Sequence, residues 1–375
     1  MIESIDAATS ALLQRFGHDS GTFESLRARL RAGAAESDNV IRAAITAPAP
    51  GDVVPLPHPG SQERRDLEAR GIEALRAGQG GAVVLAGGMA PRCGGVVKAG
   101  VEAVLGRSFL DLKLSDFARL AERTGARIPI AIMTSFATHD EVVALAERFA
   151  GRTKGAERTP IRCFPQHISL RLAPDGSLFH EPDGALSPYA PGHGDLTSSL
   201  RQSRVLGEFV QGGGRMLFMS NVDNLGATLD PAVIGAHLAS GKAITAEVVR
   251  KEPGDKGGAP ARVDGVPQIV EAFRFPPGFD QDTIPVFNTN TFVLDAQAID
   301  REFPLTWFVV KKKVEGLDAI QFERLVGEVT SFLPTAFLEV ERSGPDGRFQ
   351  PVKDPDELER RRSDITALLR ARGVV

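Results

Sequence analysis

Gly81-Ala82-Val83-Val84-Leu85-Ala86 is a short, uninterrupted apolar run that breaks off into Gly87-Gly88. A run this short, closed by glycines, reads as a strand buried on both faces. The pattern then repeats along the chain. Phe109, Leu110, Leu114, Phe117 and Leu120 recur at helical spacing, and Ile128 to Met133 is a second apolar strand. Thr138 and Glu141 have the spacing of a capping box for a helix running through Ala150. Met216-Leu217-Phe218-Met219 is a third buried strand; residues 231–240 read as a helix, and Ala243 to Val249 as a further strand. Strand and helix in alternation predict an α/β fold: a mixed, mostly parallel sheet with helices on both faces. Ligands of such sheets bind beyond the carboxyl ends of the strands, so the segments just after each apolar run are where function is expected.

Upstream of this region, residues 1–47 and 61–78 read as helices, with Leu12, Leu13, Phe16, Leu26, Leu30 and Ala34 at three- and four-residue steps. The Pro- and Gly-rich stretch from Ala47 to Gly60 between them reads as a loop. Three units are therefore expected: a helical N-terminal extension over 1–78, a main domain over 79–353, and a C-terminal helix over 354–375.

Composition limits the classes of function. The chain has 375 residues, 25% of them charged, and a net charge of −4. No basic excess argues for a phosphate-backbone ligand, which needs clustered Lys and Arg, so no nucleic-acid partner is expected. The N-terminus lacks a basic region followed by an apolar one, and no run of about 18 apolar residues occurs. A cytoplasmic protein without a membrane partner follows. Cys93 and Cys163 have no metal-ligand spacing and are expected to be reduced thiols.

The glycine loop carries the chemistry. Leu85-Ala86-Gly87-Gly88-Met89-Ala90-Pro91-Arg92-Cys93-Gly94-Gly95-Val96-Val97-Lys98 lets backbone approach a ligand and aims N–H groups at an anion. Arg92 and Lys98 would add positive charge toward a triphosphate. The spacing is neither that of a P-loop nor that of a dinucleotide fingerprint.

This loop resembles the signature loop of sugar-nucleotide pyrophosphorylases. Later segments, in order, resemble the eukaryotic-type UTP–glucose-1-phosphate uridylyltransferase family. They are Met133 to Thr138, Phe164-Pro165-Gln166, Tyr189-Ala190-Pro191-Gly192-His193-Gly194-Asp195 and Ser220-Asn221-Val222-Asp223-Asn224-Leu225-Gly226-Ala227-Thr228. Lys256-Gly257-Gly258, Phe287-Asn288-Thr289-Asn290, Ile320-Gln321-Phe322-Glu323 and Arg348-Phe349-Gln350-Pro351-Val352-Lys353 complete the series. Two positions depart from the family pattern: Ala90 stands where glycine is usual, and Val97 where proline is.

The resemblance implies a Rossmann-like, GT-A-like nucleotidyltransferase that joins UTP to glucose 1-phosphate, forms UDP-glucose and releases pyrophosphate with Mg²⁺. N-acetylhexosamine or galactose 1-phosphate is the alternative acceptor, and a nucleotide-sugar binder without turnover the alternative class. The implied catalytic residues are Lys353, Lys98 and Arg92. The nucleotide would meet Leu85, Ala86, Gly87, Gly88, Lys98, Gln166, Gly192, Asp223 and Lys353. The sugar phosphate would meet Gly88, His193, Asn221, Val222, Asp223 and Asn290.

Physical reasons accompany several of these. Asp223 directly follows a buried strand, where a carboxylate can hold Mg²⁺ against phosphates, though it can also simply close an Asx turn. One amide at Gln166 can pair with uracil, or can be satisfied by backbone. Asn290 can serve sugar hydroxyls, or cap a turn with Asn288. Lys353 is a flexible point charge ahead of the last helix. Lys311-Lys312-Lys313 is expected to be a solvated face, and Trp307 a packing residue. Family members carry a further C-terminal β-helix that mediates higher oligomers. Residues 354–375 are too few for several coils, so a monomer or small homo-oligomer is expected.

Overall fold

The computed structural model describes residues 5–90, 95–255 and 257–375. Its centre is an eight-stranded sheet. The strands are β1 (Val53–Pro55), β2 (Gly80–Leu85), β3 (Ile130–Thr134), β4 (Ile161–Pro165), β5 (Met216–Asn221), β6 (Ile244–Arg250), β7 (Val286–Asp295) and β8 (Thr335–Glu339). Their order across the sheet is β1-β8-β6-β7-β5-β2-β3-β4. Every pair is parallel except those made by β7, which runs against both β5 and β6. The mixed, mostly parallel sheet read from the apolar runs is thus present.

Alternation along each strand sorts side chains onto two faces. Ala82 and Val84 of β2, Ile130 and Ile132 of β3, and Met216 and Phe218 of β5 share one core. That core is filled by α4 (Phe109–Thr124), α5 (His139–Arg152), α8 (Pro231–Ser240) and α9 (Pro355–Ala371). Val83, Leu85, Ala131, Met133, Leu217 and Met219 point the other way. There they meet α6 (Leu196–Gln202), α7 (Val205–Gln211) and the antiparallel pair Ala259–Val263 and Val266–Val270.

α4 buries all five residues that the periodicity singled out. It starts on Ser108, whose hydroxyl accepts the Asp111 N–H, and stops at Gly125 in a left-handed conformation (φ 72°). α9 begins with Asp354 as cap and Pro355 at its first position, then buries Leu358, Ile365, Leu368 and Leu369.

The capping box expected at Thr138 does not form. The Thr138 hydroxyl instead accepts the Ser135 N–H and donates to the Ala86 carbonyl, so it stitches α5 to the glycine loop. At the N-terminus α1 (Ala7–Arg15) and α2 (Ser20–Arg31) pack in a separate core with Ile168, Leu170 and the hairpin Phe308–Val314/Leu317–Glu323. The expected loop contributes β1 to the sheet edge, and α3 (Gln62–Arg76) follows it. Lys311, Lys312 and Lys313 lie exposed on the hairpin, as a solvated charge run should. Trp307 packs under the Arg324 guanidinium, 4.2 Å from the ring centre.

Candidate active site

Parallel register brings the sequence-predicted segments to one edge. Leu85 pairs with Asn221 on one side and Met133 on the other, and Met133 pairs with Phe164. The segments beyond these positions leave the sheet side by side, β3 and β4 after one further pair, Thr134 with Pro165. Backbone bonds continue the alignment for one more residue: Ala86 N–H donates to the Met133 carbonyl (2.8 Å), Gln166 N–H to Thr134 (2.8 Å) and Val222 N–H to Leu85 (3.1 Å).

Gly87 keeps space open beside Gln166. A Cβ there would lie 2.6 Å from the Gln166 side-chain nitrogen, so a larger residue would push this amide from its position. Gln166 is 6% exposed, and its carbonyl oxygen has no hydrogen-bond partner among the described residues. A buried acceptor in this state is costly unless a ligand satisfies it.

After Gly88 the chain forms a two-stranded turn, Met89–Ala90 against Val96–Val97, and the Lys98 N–H returns to the Gly88 carbonyl at 3.3 Å. Ala90 lies in an extended strand, so the absence of glycine there imposes no left-handed strain. Val97 has φ −66°, the value a proline would fix. Lys98 then reaches across to Asp223, Nζ to Oδ2 at 2.6 Å, with side chains 21% and 12% exposed. Arg92 lies outside the described residues.

β7 supplies the next group through a defect in its ladder. The register against β6 slips between Glu247 and Val248, and Thr289 and Asn290 go unpaired in the bulge. Asn290 adopts φ 57°, which an Asn tolerates better than most residues. The Asn288 side chain accepts the Asn290 N–H at 3.1 Å, and the Asn290 amide donates to Asn221 Oδ1 at 3.1 Å. Asn221–Asn290 and Lys98–Asp223 are thus two polar pairs set at the end of β5.

His193 sits in a tight turn over 193–195. Gly192 and Gly194 press against the Arg324 backbone. The Val326 N–H donates to His193 Nδ1 at 3.1 Å, which leaves the proton on Nε2. Burial pushes the imidazole pKa down to about 4, so the ring is neutral at neutral pH. Asp195, fully buried, accepts from Arg324 and from the His167 N–H (3.1 Å); it anchors the turn and the segment after Gln166.

Lys353 is exposed. Its N–H donates to the Glu357 carboxylate at 2.8 Å, and its charge acts on Asp255, which Arg342 holds at 2.7 Å. It stands beyond a segment that is tied to the Asp223 loop. The Asn224 amide donates to the Arg348 carbonyl (3.1 Å) and accepts the Gln350 N–H (2.8 Å).

Three features escaped the sequence reading. Burial raises the Glu271 carboxyl above the usual carboxylate range, and Gly258 lies so close that a Cβ would sit 3.0 Å from Oε2. Arg348 is buried in a two-bond pair with Glu247, itself fully buried. Lys113 is buried in α4 beneath the Asp223 loop. No spacing marks Lys113 or Glu271, and the motif that contains Arg348 does not show its pairing with Glu247, because each is defined by what packs around it.

Among the described residues no three His, Cys, Asp or Glu side chains gather as a metal-ligand set. Asp223 offers one carboxylate at the strand end. That suits Mg²⁺, which takes one or two carboxylates and fills its shell with phosphate oxygens and water. Among the described residues no helix is long and apolar enough to cross a membrane.

Comparison with known proteins follows the same outline. A family model described as UTP–glucose-1-phosphate uridylyltransferase matches residues 22–372. The chain is 27% identical to the UTP–glucose-1-phosphate uridylyltransferase of Musa acuminata over 98% of its own length and 79% of that protein. It is 27% identical to that of Solanum tuberosum over 72% of its own length, and there the match spans only 58% of the relative. UDP-glucose pyrophosphorylase from Leishmania major superposes with a TM-score of 0.72 at 22% identity, over 95% of this chain and 79% of the other. A uridine diphosphate N-acetylglucosamine pyrophosphorylase from Trypanosoma brucei gives a TM-score of 0.74 at 18% identity, over 96% and 85%. At these identities the structures speak to the fold alone.

Proposed function

Since the chain belongs to the UTP–glucose-1-phosphate uridylyltransferase family, we propose that it transfers UMP from UTP to glucose 1-phosphate, forming UDP-glucose and pyrophosphate. The observation that carries the base and phosphate assignment is the meeting of Gln166, Gly87, Lys98 and Asp223 at adjacent strand ends. In this reading residues 79–353 form the catalytic body, with 1–78 and 354–375 packed on it, and the protein works in the cytoplasm.

Uracil enters beside Gly87. The Gln166 carbonyl, without a partner among the described residues, accepts its N3–H while the same amide donates to the O4 carbonyl oxygen. The glycine loop N–H groups and Lys98 receive the triphosphate. Glucose 1-phosphate lies toward Asn221, His193, Asn290 and Glu271, whose amide, imidazole and carboxyl groups suit hydroxyls and phosphate oxygens. Its phosphate oxygen attacks the α-phosphorus, the bond to the pyrophosphate oxygen breaks, and pyrophosphate leaves. The chain's residues align two anions and spread their charge, and no covalent nucleophile takes part. Mg²⁺, bound through Asp223 and the phosphates, would neutralise part of that charge. Lys98 must then turn from Asp223 to phosphate, a short swing from a 2.6 Å contact. Lys353 approaches from the far end of the catalytic body.

The test is pyrophosphate release from UTP with a panel of sugar 1-phosphates. Fastest turnover with glucose 1-phosphate is the expected result. Preference for an N-acetylhexosamine 1-phosphate, or no turnover at all, overturns the assignment.

A further inference from the structure

Directly behind Asp223, five successive backbone carbonyls each accept a hydrogen bond from a lysine or arginine side chain. Lys113 Nζ donates to Asn224 and to Ala227, both at 2.6 Å. Arg372 donates to Leu225 at 3.1 Å and to Gly226 at 2.9 Å. Arg348 donates to Thr228 at 2.8 Å. The donors come from three separate places: the middle of α4, the segment leading to Lys353, and the C-terminal cap of α9. Lys113 and Arg348 are 1% and 2% exposed, and the Arg372 side chain 16%. Counter-charges sit behind them in Glu247, Asp230 and Asp116.

A strand that only needed to end could do so with ordinary turn bonds. Here, beside such turn bonds, lysine and arginine side chains hold every carbonyl from 224 to 228, and the arginine bonds are charge-assisted, about twice as strong as neutral ones. The segment begins at the residue after Asp223, and Asn224 is clamped by its side chain as well. Two of the donors, Lys113 and Arg372, belong to none of the motifs that mark the active site.

We propose that Lys113 and Arg372, with Arg348, form a cationic cradle whose role is to position Asp223 and its pairing with Lys98 for phosphate chemistry. They are positioning residues and touch no substrate. The proposal rests on the functional reading above. It also gives α9 a function: the helix delivers Arg372 to the back of the site.

The experiment uses the full chain with Lys113→Met and Arg372→Gln, each alone and with Asp223→Asn. Initial rates give kcat and KM, and amide hydrogen exchange reports on residues 222–229. Each single variant should lower kcat about 10- to 100-fold, the scale of a misplaced reacting group, with a much smaller change in either KM. Each should raise exchange selectively across 222–229. In the Asp223→Asn background the further loss in kcat should vanish, because the residue through which the cradle acts is already disabled. The proposal falls if a folded variant keeps wild-type kcat, if the loss is equally large in the Asp223→Asn background, or if exchange in 222–229 is unchanged. Should Lys113→Met not fold, Arg372→Gln, at the edge of the cluster, decides. Failure of the functional reading would appear separately, as a wild-type protein that releases no pyrophosphate, and the exchange measurement would still judge the cradle.

Discussion

Replacing Arg348 by Met should come close to unfolding the protein, and the structure shows why. The guanidinium makes two hydrogen bonds to Glu247, one of them Nε to Oε2 at 2.7 Å, and Glu247 has no exposed surface. It also approaches Asp230 at 3.6 Å and donates to the Thr228 carbonyl. Asp230 keeps a second partner, Arg64 at 2.8 Å, so its loss is minor. Among the described residues Glu247 keeps no other cation. Removing one member of a buried pair costs about 3–5 kcal/mol, because a charge is left without partner or water. Against a total of about 5–15 kcal/mol for an ordinary fold, that is a large fraction. Urea denaturation followed by circular dichroism measures it. The decisive control is Arg348→Met combined with Glu247→Met, which removes both charges. If the cost arises from the stranded carboxylate, the double variant should regain most of the lost stability while the single variant stays near collapse. A single variant that loses less than about 1 kcal/mol, the scale of a surface pair, refutes the argument. So does a double variant no more stable than the single.

Lys98→Met and Asp223→Asn should each depress kcat/KM by about 10²-fold or more while the fold survives; wild-type rates in either would remove the pair from the mechanism. Gly87→Ala places a methyl 2.6 Å from the Gln166 amide. It should weaken UTP by about 1–3 kcal/mol, the usual scale of overpacking, seen as a raised KM for UTP with that for glucose 1-phosphate little changed. Asn290→Gly keeps the φ of 57° without strain but deletes the amide, so the KM for glucose 1-phosphate should rise more than that for UTP, and the reverse order would contradict the placement. His193 and His237 are both held near pKa 4 by burial, well below the ordinary value of 6.5. Between those limits the unfolded chain binds protons that the folded one refuses, so stability should fall as pH drops from 6.5 to 4. The slope is at most about 1.4 kcal/mol per pH unit for each histidine, and a flat urea midpoint across that window would exclude it.

The parallel sheet was legible in the sequence because its strands are buried on both faces and must therefore be continuous apolar runs. Gly81 to Ala86 and Met216 to Met219 can be little else, and Asp223 follows from where the second run stops. Helix α4 was legible for a similar reason, since a stripe of five apolar residues at helical spacing needs a core to lie on. Local chemistry likewise made the glycine loop a candidate for binding an anion, which is part of the proposed function. What no spacing could reveal was which strand ends become neighbours. That depends on sheet order, and β7 enters the middle of the sheet antiparallel and carries Asn290 in on a bulge that exists only against β6. The Thr138 hydroxyl had two possible partners, a helix end and the Ala86 carbonyl, and tertiary packing chose the second. Lys113 and Glu271 look like ordinary surface charges in the sequence, and the motif that opens on Arg348 gives no sign that its guanidinium is buried against Glu247. Burial is a property of everything folded around a residue, and only the tertiary structure could turn these three into groups that must be satisfied from within.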